Sequence, residues 1–462
     1  MSWYQRVYHW LDERLGIDTV IRPIIEHPVP DTDWPYVLGS ATLTAFVFQI
    51  LTGVALAMSY VPAPNSAYES LNFITHDAVL GSFLRGIHYF GASAMVILIA
   101  AHAAHVFLVG SYKFPRELNW FTGVLLLFLT LGMAFTGQLL RWDQDAYWAV
   151  VVAAEQVGKT PIIGQALAEL VVAGQTVGGA TLTRFFATHV FIIPALMFLL
   201  IGTHLYLVIQ LGVSEVPTPG EVVDPATYQK RYHDFLDREG IPFFPDAAWK
   251  DVVFALAIGL VVVVLAAIVG PPALGQLADP TIIQAYPRPD WYFLWYFALL
   301  ALIPTNIENL FILGFPLVVA IIMLILPFVA NAGERSPQRR PWAVAIVALS
   351  ALAIGVLVRQ GDLAPWSPVA NPGQLPANVT QNLSPTAQQG VVVYQQAGCI
   401  SCHAIEGVGG QRGPNLTGVG GRLSRGQLIS RIQAGGNNMP AYAGNLTPTQ
   451  LSNLVDFLQS LK

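Results

Sequence analysis

Apolar residues dominate seven stretches of the chain, at 37–60, 86–109, 119–140, 186–211, 251–270, 308–330 and 342–358. As helices, these are long enough to cross a hydrocarbon layer of about 30 Å, the last only barely. An eighth apolar stretch, 291–303, is stopped by Pro304 and reads as a re-entrant or surface helix. The two ends of the chain are patterned differently. Near the start, Trp3, Tyr4, Trp10 and Leu11 interleave with Arg6, Asp12 and Arg14, as in an amphipathic helix lying on a membrane surface. After 358, Pro, Asn and Gln crowd a segment, 359–386, with the composition of a linker. Residues 387–462 predict a small soluble helical domain whose last helix is capped by Thr447, with Pro448 at its first position.

Composition agrees with a membrane setting. The chain is 54% hydrophobic and 11% charged, where soluble domains carry about 25% charged residues. A net charge of -5 over 462 residues argues against nucleic acid as a partner. The first residues lack the apolar core and small-residue site of a cleaved signal peptide. Loop charges set an orientation: with the N-terminus cytoplasmic, twelve Lys and Arg fall on the cytoplasmic side and five on the other. Seven crossings then put the tail domain on the outer side.

Both cysteines of the chain lie in that tail, in Cys399-Ile-Ser-Cys402-His403. This is the pattern for covalent haem c: two thiols on one helical turn form thioethers, and the next residue gives an axial imidazole. Met439, 36 residues beyond His403 and the only methionine after 323, supplies the sixth ligand, and a His/Met pair raises the iron potential. A redox dithiol or half a zinc site is the plainer account, but the tail has neither a βαβ setting nor a second Cys pair. The "GPNL" at 413–416 resembles the haem-packing loop of small cytochromes c.

Four membrane histidines form a second pattern. His88 and His102 are 14 residues apart in the second stretch; His189 and His204 are 15 apart in the fourth. At about 100° per residue the pairs return to within about 40° and 60° of one helix face, separated by about 21 Å of rise. Two such helices facing each other would clamp two haems b at two depths, His88 with His189 outside and His102 with His204 inside. A lone intramembrane His is often a hydrogen-bonded packing residue, but four at matched depths point to ligands. His105 falls about 100° off the face of His88 and reads as structural. Gly39 and Gly53, and Gly123 and Gly137, repeat the spacing of 14 in the first and third stretches. Helix packing accounts for any one of them; the repeat favours clearance for the haems.

On these residues the chain resembles the cytochrome b of quinol-oxidising cytochrome bc complexes, over about 1–358. "LRGIHYFGAS", "HAAHVFLVGSYKFPRELNWFTGV", "WDQDAYWAV" and "LTRFFATHVFIIP" resemble cytochrome b6, and the last three apolar stretches resemble subunit IV fused to it. "PDWY" (Pro289, Asp290, Trp291, Tyr292) resembles the family's PEWY segment at the outer quinol-oxidation site. The resemblance implies that Asp290 takes a quinol proton there; a helix cap is its plainer role. Three departures stand out. Val37 occupies the place of the cysteine that binds an extra haem in the b6 family. Gln138 and Arg141 replace the usual residues of G-Y-x-L-P-W, and the cytochrome c tail is joined to the cytochrome b. Arg85 and Arg184, three and five residues before His88 and His189, are candidates for the outer haem propionates, or else snorkel at the membrane edge.

The expected fold is thus an all-α membrane protein. It has a surface helix and lead-in (1–35), a haem-binding four-helix bundle (36–212), three further transmembrane helices with the PDWY loop (213–358), the linker, and a small all-α cytochrome c domain. The resemblance implies a quinol:cytochrome c or plastocyanin-type oxidoreductase running a proton-translocating Q-cycle, with two haems b and one haem c. Because haem c takes both cysteines, the Rieske [2Fe-2S] centre must sit on a partner chain. The other expected partners are membrane lipid, the quinone pool, a soluble cytochrome c or cupredoxin, and a second copy in a homodimer. Two alternatives remain. The tail is an accessory tethered shuttle beside a separate cytochrome c1 or f, or the whole is a b-haem anchor of a dehydrogenase.

Overall fold

The computed structural model describes residues 2–174, 176–279, 282, 288–364, 373–410, 413–436 and 439–462. Part of the 359–386 linker, 365–372, lies outside the described residues. All seven apolar stretches are helices long enough to cross a membrane. The chain opens with α1 (Trp3–Leu15), closed at its start by a reciprocal pair of bonds between Ser2 and Gln5. Trp3 and Trp10 stand exposed on it.

The first four crossings form the bundle: α2 (Leu38–Ala57), α3 (Gly81–Leu108), α4 (Glu117–Leu139) and the fourth span, Gly179–Leu211. Between α4 and the fourth span, α5 (Gln144–Gly158) and α6 (Gly164–Val172) cover one end of the bundle. The fourth span begins as Gly179–Ala187, passes through a π-helical turn at Thr188–Ile192 and continues as α7 (Ile193–Leu211). The cause of the wide turn is Pro194, which has no N–H for the Val190 carbonyl; Ile193 N–H instead bonds five residues back, to Thr188 O. A π turn takes up one extra residue. Fifteen residues from His189 to His204 therefore turn the helix through nearly the angle that fourteen do in α3, closer than the 60° expected for a regular helix.

Helix α2 packs on α3, and α4 on α7, with α3 meeting α4 between the pairs. Inside the bundle Ala41, Ala45, Phe46, Met95, Leu98, Ile99, Leu126, Ile193 and Met197 form one buried apolar cluster. The remaining crossings wrap this bundle. The fifth, α8 (Ala248–Ile268), lies on α2 and α3; the short α9 (Trp291–Leu302) precedes α10 (Thr305–Val329), which lies on α4; α11 (Pro341–Leu363) pairs with α9. As expected, the stretch at 291–303 is too short to cross and ends at Ile303-Pro304.

The loop cations have a second task. At one end of the bundle, Arg340 donates to the carbonyls of Phe107 and Leu108, Arg116 to those of Leu211 and Gly212, and Lys113 to those of Ala330 and Ala332. Apart from Ala332, which lies in the loop beyond α10, these are the last carbonyls and cap carbonyls of α3, α7 and α10, at the negative pole of each helix dipole. Two-residue β ribbons, Pro28–Val29 with Ile241–Pro242 and Val222–Val223 with Gly333–Glu334, tie the same end together.

The tail folds around its own core. Helices α12 (Pro385–Gln396), α13 (Cys399–Cys402), α14 (Arg425–Ala434) and α15 (Pro448–Ser460) surround Tyr394, Ile405, Leu454, Val455 and Phe457. Thr447 caps α15 and Pro448 starts it, as the sequence predicts. Leu375, Val379 and Leu383, counted with the linker above, also pack on this core.

Candidate haem and quinol sites

Histidines 88 and 189 face each other across the bundle with ring centroids 6.4 Å apart and planes at 72°. Two metal–imidazole bonds of about 2 Å, plus the ring halves, require about 6 Å, so the pair fits an iron between two Nε2 atoms. The orientation of each ring is held from behind. Thr52 Oγ1 lies 2.9 Å from His88 Nδ1, Thr136 Oγ1 3.1 Å from His189 Nδ1, and Thr122 Oγ1 2.9 Å from His204 Nδ1. Each threonine spends its own proton on the carbonyl four residues back: Phe48, Gly132 and Leu118 respectively. The hydroxyl oxygen therefore accepts, Nδ1 carries the proton, and Nε2 keeps its lone pair for a metal. Among the described residues His102 Nδ1 is buried without a partner; Leu38 stands where the other three sites have threonine.

The glycines explain themselves at the same contacts. A Cβ on Gly137 would come within 2.7 Å of His189 Cε1; on Gly39 or Gly53, within 3.2 Å of the rings of His102 or His88; on Gly123, within 3.5 Å of His204. What they clear directly is the histidine ring, and so α2 and α4 press against α3 and the fourth span, which carry the four histidines. The threonines were the missed residues. Their signal was the repeated Thr-Gly at 52–53, 122–123 and 136–137.

His102 and His204 open onto one cavity of about 500 Å³. It continues past the imidazoles to Tyr36, Ser40, His105, Lys250 and Asp251. Ser40 Oγ bonds the Asp251 carboxylate, Lys250 Nζ reaches Asp31 at 2.8 Å, and His105 packs edge-on against Tyr36 at 4.7 Å. No sequence motif marks these residues, because they come from α2, α3, α8 and the lead-in.

At the opposite end, Pro289 is buried and the Tyr292 hydroxyl donates to Asp290 Oδ2 at 2.7 Å. The Asp290 side chain makes no cap bond to α9, so the plainer role is not the one it fills. Trp291 Nε1 reaches Ser93 Oγ at 3.3 Å. Two residues of "WDQ" clamp the incoming loop. The buried Asp143 accepts from Gly275 N–H, and Gln144 exchanges bonds with the Asp279 backbone and donates to Ile282 O. Gln138 donates to Arg288 O, and Arg141 pairs with Asp143 at 3.2 Å. The two propionate candidates part company. Arg85 is buried and donates to Thr75 Oγ1, while Arg184 is exposed and donates to Leu170 O at 2.6 Å.

In the tail, His403 Nδ1 donates to Pro414 O at 2.8 Å, which again frees Nε2. A Cβ on Gly413 would lie 2.4 Å from the His403 ring, so "GPNL" brings a glycine that clears the imidazole and a proline carbonyl that orients it. Met439 lines the same cavity as Cys399, Cys402 and His403. Burial pushes the Cys399 thiol up to about 12.

Comparison with known proteins agrees with this division. Residues 25–212 match the family "Cytochrome b/b6/petB", 277–379 "Cytochrome b(C-terminal)/b6/petD", and 385–458 "Cytochrome C oxidase, cbb3-type, subunit III". The chain is 40% identical over 218 residues to the menaquinol:cytochrome c reductase cytochrome b subunit of Bacillus subtilis, covering 97% of that protein and 45% of this one. It is 40% identical over 210 residues to cytochrome b6 of Heliobacterium mobile, covering 99% of that protein and 45% of this one. Among solved structures, a chain of a hyperthermophilic respiratory Complex III superposes with a TM-score of 0.66 at 28% identity, over 77% of this chain and 91% of that one. These domains imply haem b and haem c, and the paired imidazoles and the Cys399–Met439 cleft fit them. The chain belongs to the cytochrome b/b6 family and carries, in one polypeptide, the b6 part, the C-terminal part and a cytochrome c domain.

Proposed function

We propose that this chain is the quinol-oxidising and transmembrane electron-carrying subunit of a quinol:cytochrome c reductase, with its own haem c as the exit. The observation that carries the reading is the two-level set of histidines, His88 facing His189 and His102 sharing a cavity with His204, with Nδ1 held by a threonine at three of the four. When bound, two haems b carry single electrons between the ends of the bundle and haem c carries them outward.

The chain's own groups do the rest. Pro289, Asp290, Trp291 and Tyr292 form the outer quinol site. The Tyr292 hydroxyl fixes Asp290 Oδ2 and leaves Oδ1 to accept the proton of a quinol hydroxyl. A quinol gives up two electrons and two protons; one electron leaves toward a Rieske protein, a separate chain, and the other crosses through the His88/His189 and His102/His204 levels. At the inner level Asp251, with Ser40, and Lys250, with Asp31, line the cavity where a quinone takes up electrons and protons. The loop-cation bias supports a cytoplasmic N-terminus and an outer c domain, and in that orientation protons leave on the outer side in a Q-cycle. Arg85, buried at the outer level, is the propionate candidate that this burial favours.

The test is oxidation of a short-chain quinol by soluble cytochrome c in the purified complex. The reading expects turnover, two haems b reducible by quinol, and a co-purifying iron–sulfur protein; no quinol-dependent reduction of haem b would overturn it. A separate cytochrome c1 or f in the subunit list would make the tail an accessory shuttle instead.

A further inference from the structure

The cavity that holds Cys399, Cys402, His403 and Met439 is not enclosed by the tail domain alone. It measures about 1150 Å³, and its other wall is the outer face of the membrane part: Trp148 and Glu155 on α5, Lys159 after it, and Glu169 on α6. Beside it, Asn445 Nδ2 donates to Asp279 Oδ1 at 3.0 Å. Asp279 belongs to the loop that Gln144 clamps upstream of Pro289. The opposed rims are complementary in charge, with Arg422 and Arg431 on the tail side and Glu155 and Glu169 on the membrane side, where Lys159 is paired with Glu308 at 3.1 Å.

We propose that α5, α6 and Asp279 form a docking face for the haem cleft of the chain's own c domain, and that docking covers the side from which a soluble acceptor would reach the haem. Electron transfer to that acceptor moves one electron from ferrous haem c to its ferric iron, with no proton, and requires close approach to the cleft. In the docked arrangement Trp148 and the two glutamates occupy that approach. Charge complementarity of this kind steers association and weakens with salt. The proposal rests on the haem c reading of the tail, and the test separates the two.

The experiment uses the full complex with Asp279→Cys and Asn445→Cys introduced together, so that a disulfide locks the contact, and with Glu155→Gln and Glu169→Gln in a second variant. Haem c content is measured in each by its pyridine haemochrome. Oxidation of pre-reduced haem c by soluble cytochrome c is then followed by stopped flow. Docking predicts that the locked form is oxidised at least tenfold more slowly than the same variant with its disulfide reduced. It also predicts that the glutamine variant is oxidised faster than the parent at low ionic strength. Equal rates in locked and unlocked forms, or failure of the disulfide to form while haem c is intact, would overturn the docking face. Absence of haem c from the parent would overturn the reading beneath it.

Discussion

Each membrane imidazole that binds iron must offer Nε2 while something else holds Nδ1, and Thr52, Thr122 and Thr136 supply that hold at three of the four positions. Outer partners of metal-bound histidines are worth roughly 10–100-fold in affinity. Thr136→Val should therefore loosen the outer haem by about that factor while leaving the inner one, read as loss of one of two b-type components in a redox titration. The histidines were legible in the sequence because a charged or polar ring in hydrocarbon is rare and these four repeat at a helical interval. The threonines were not, because a threonine in an apolar helix ordinarily bonds the carbonyl four residues back and signals nothing; here it does that and also accepts a second bond. At the proposed quinol site, Asp290→Asn removes the carboxylate proposed to accept the quinol proton. A general base contributes about 10²–10⁴-fold, so steady-state quinol oxidation should fall by roughly 10² or more, with both haems b still present in the spectrum.

The helices were legible from apolar length alone, since a membrane span needs little else. Their details were not. The π turn at Thr188–Ile192 follows from the position of Pro194 relative to His189, and a count of residues treats every turn as regular. The loop cations were legible only as a charge bias, whereas several of them are buried caps on helix carbonyls, because a short loop forces them back over the helix ends. Arg335 among them bonds Glu215 at 2.7 Å. Burial alone would raise the Glu215 carboxyl, but the Arg335 charge and the Tyr228 hydroxyl outweigh it and hold the group below its ordinary value of 4.5. A depressed carboxylate adds stability above its unfolded pKa, and that stability is lost as pH falls through the folded one. Hydrogen exchange of segment 212–223 in detergent should thus be pH-insensitive above about 4.5 once corrected for intrinsic rates, and should lose protection below it. Glu215→Gln should abolish that step.

For the molecule as a whole, the membrane part and the tail have separate cores, and the tail reaches back to Leu375. Composition drew the linker through to 386 because Pro and Asn mark turns within a small domain as readily as they mark a tether. A chain ended at residue 364 should keep both haems b and their quinol reducibility while losing all covalent haem, as seen by haem staining after denaturation. The facing rims of tail and membrane part could not be foreseen, since Asp279 and Asn445 are far apart in sequence and neither belongs to a motif. The central claim is that one chain holds two haems b, clamped at two depths by four histidines, and one haem c, and that quinol feeds them. It is tested most directly by a pyridine haemochrome of the purified complex, normalised to this chain and repeated after quinol addition. The account predicts two haems b to one haem c, with both b haems reduced by quinol when the exit through the Rieske protein is open. One haem b or none, or b haems that quinol leaves oxidised, would contradict it.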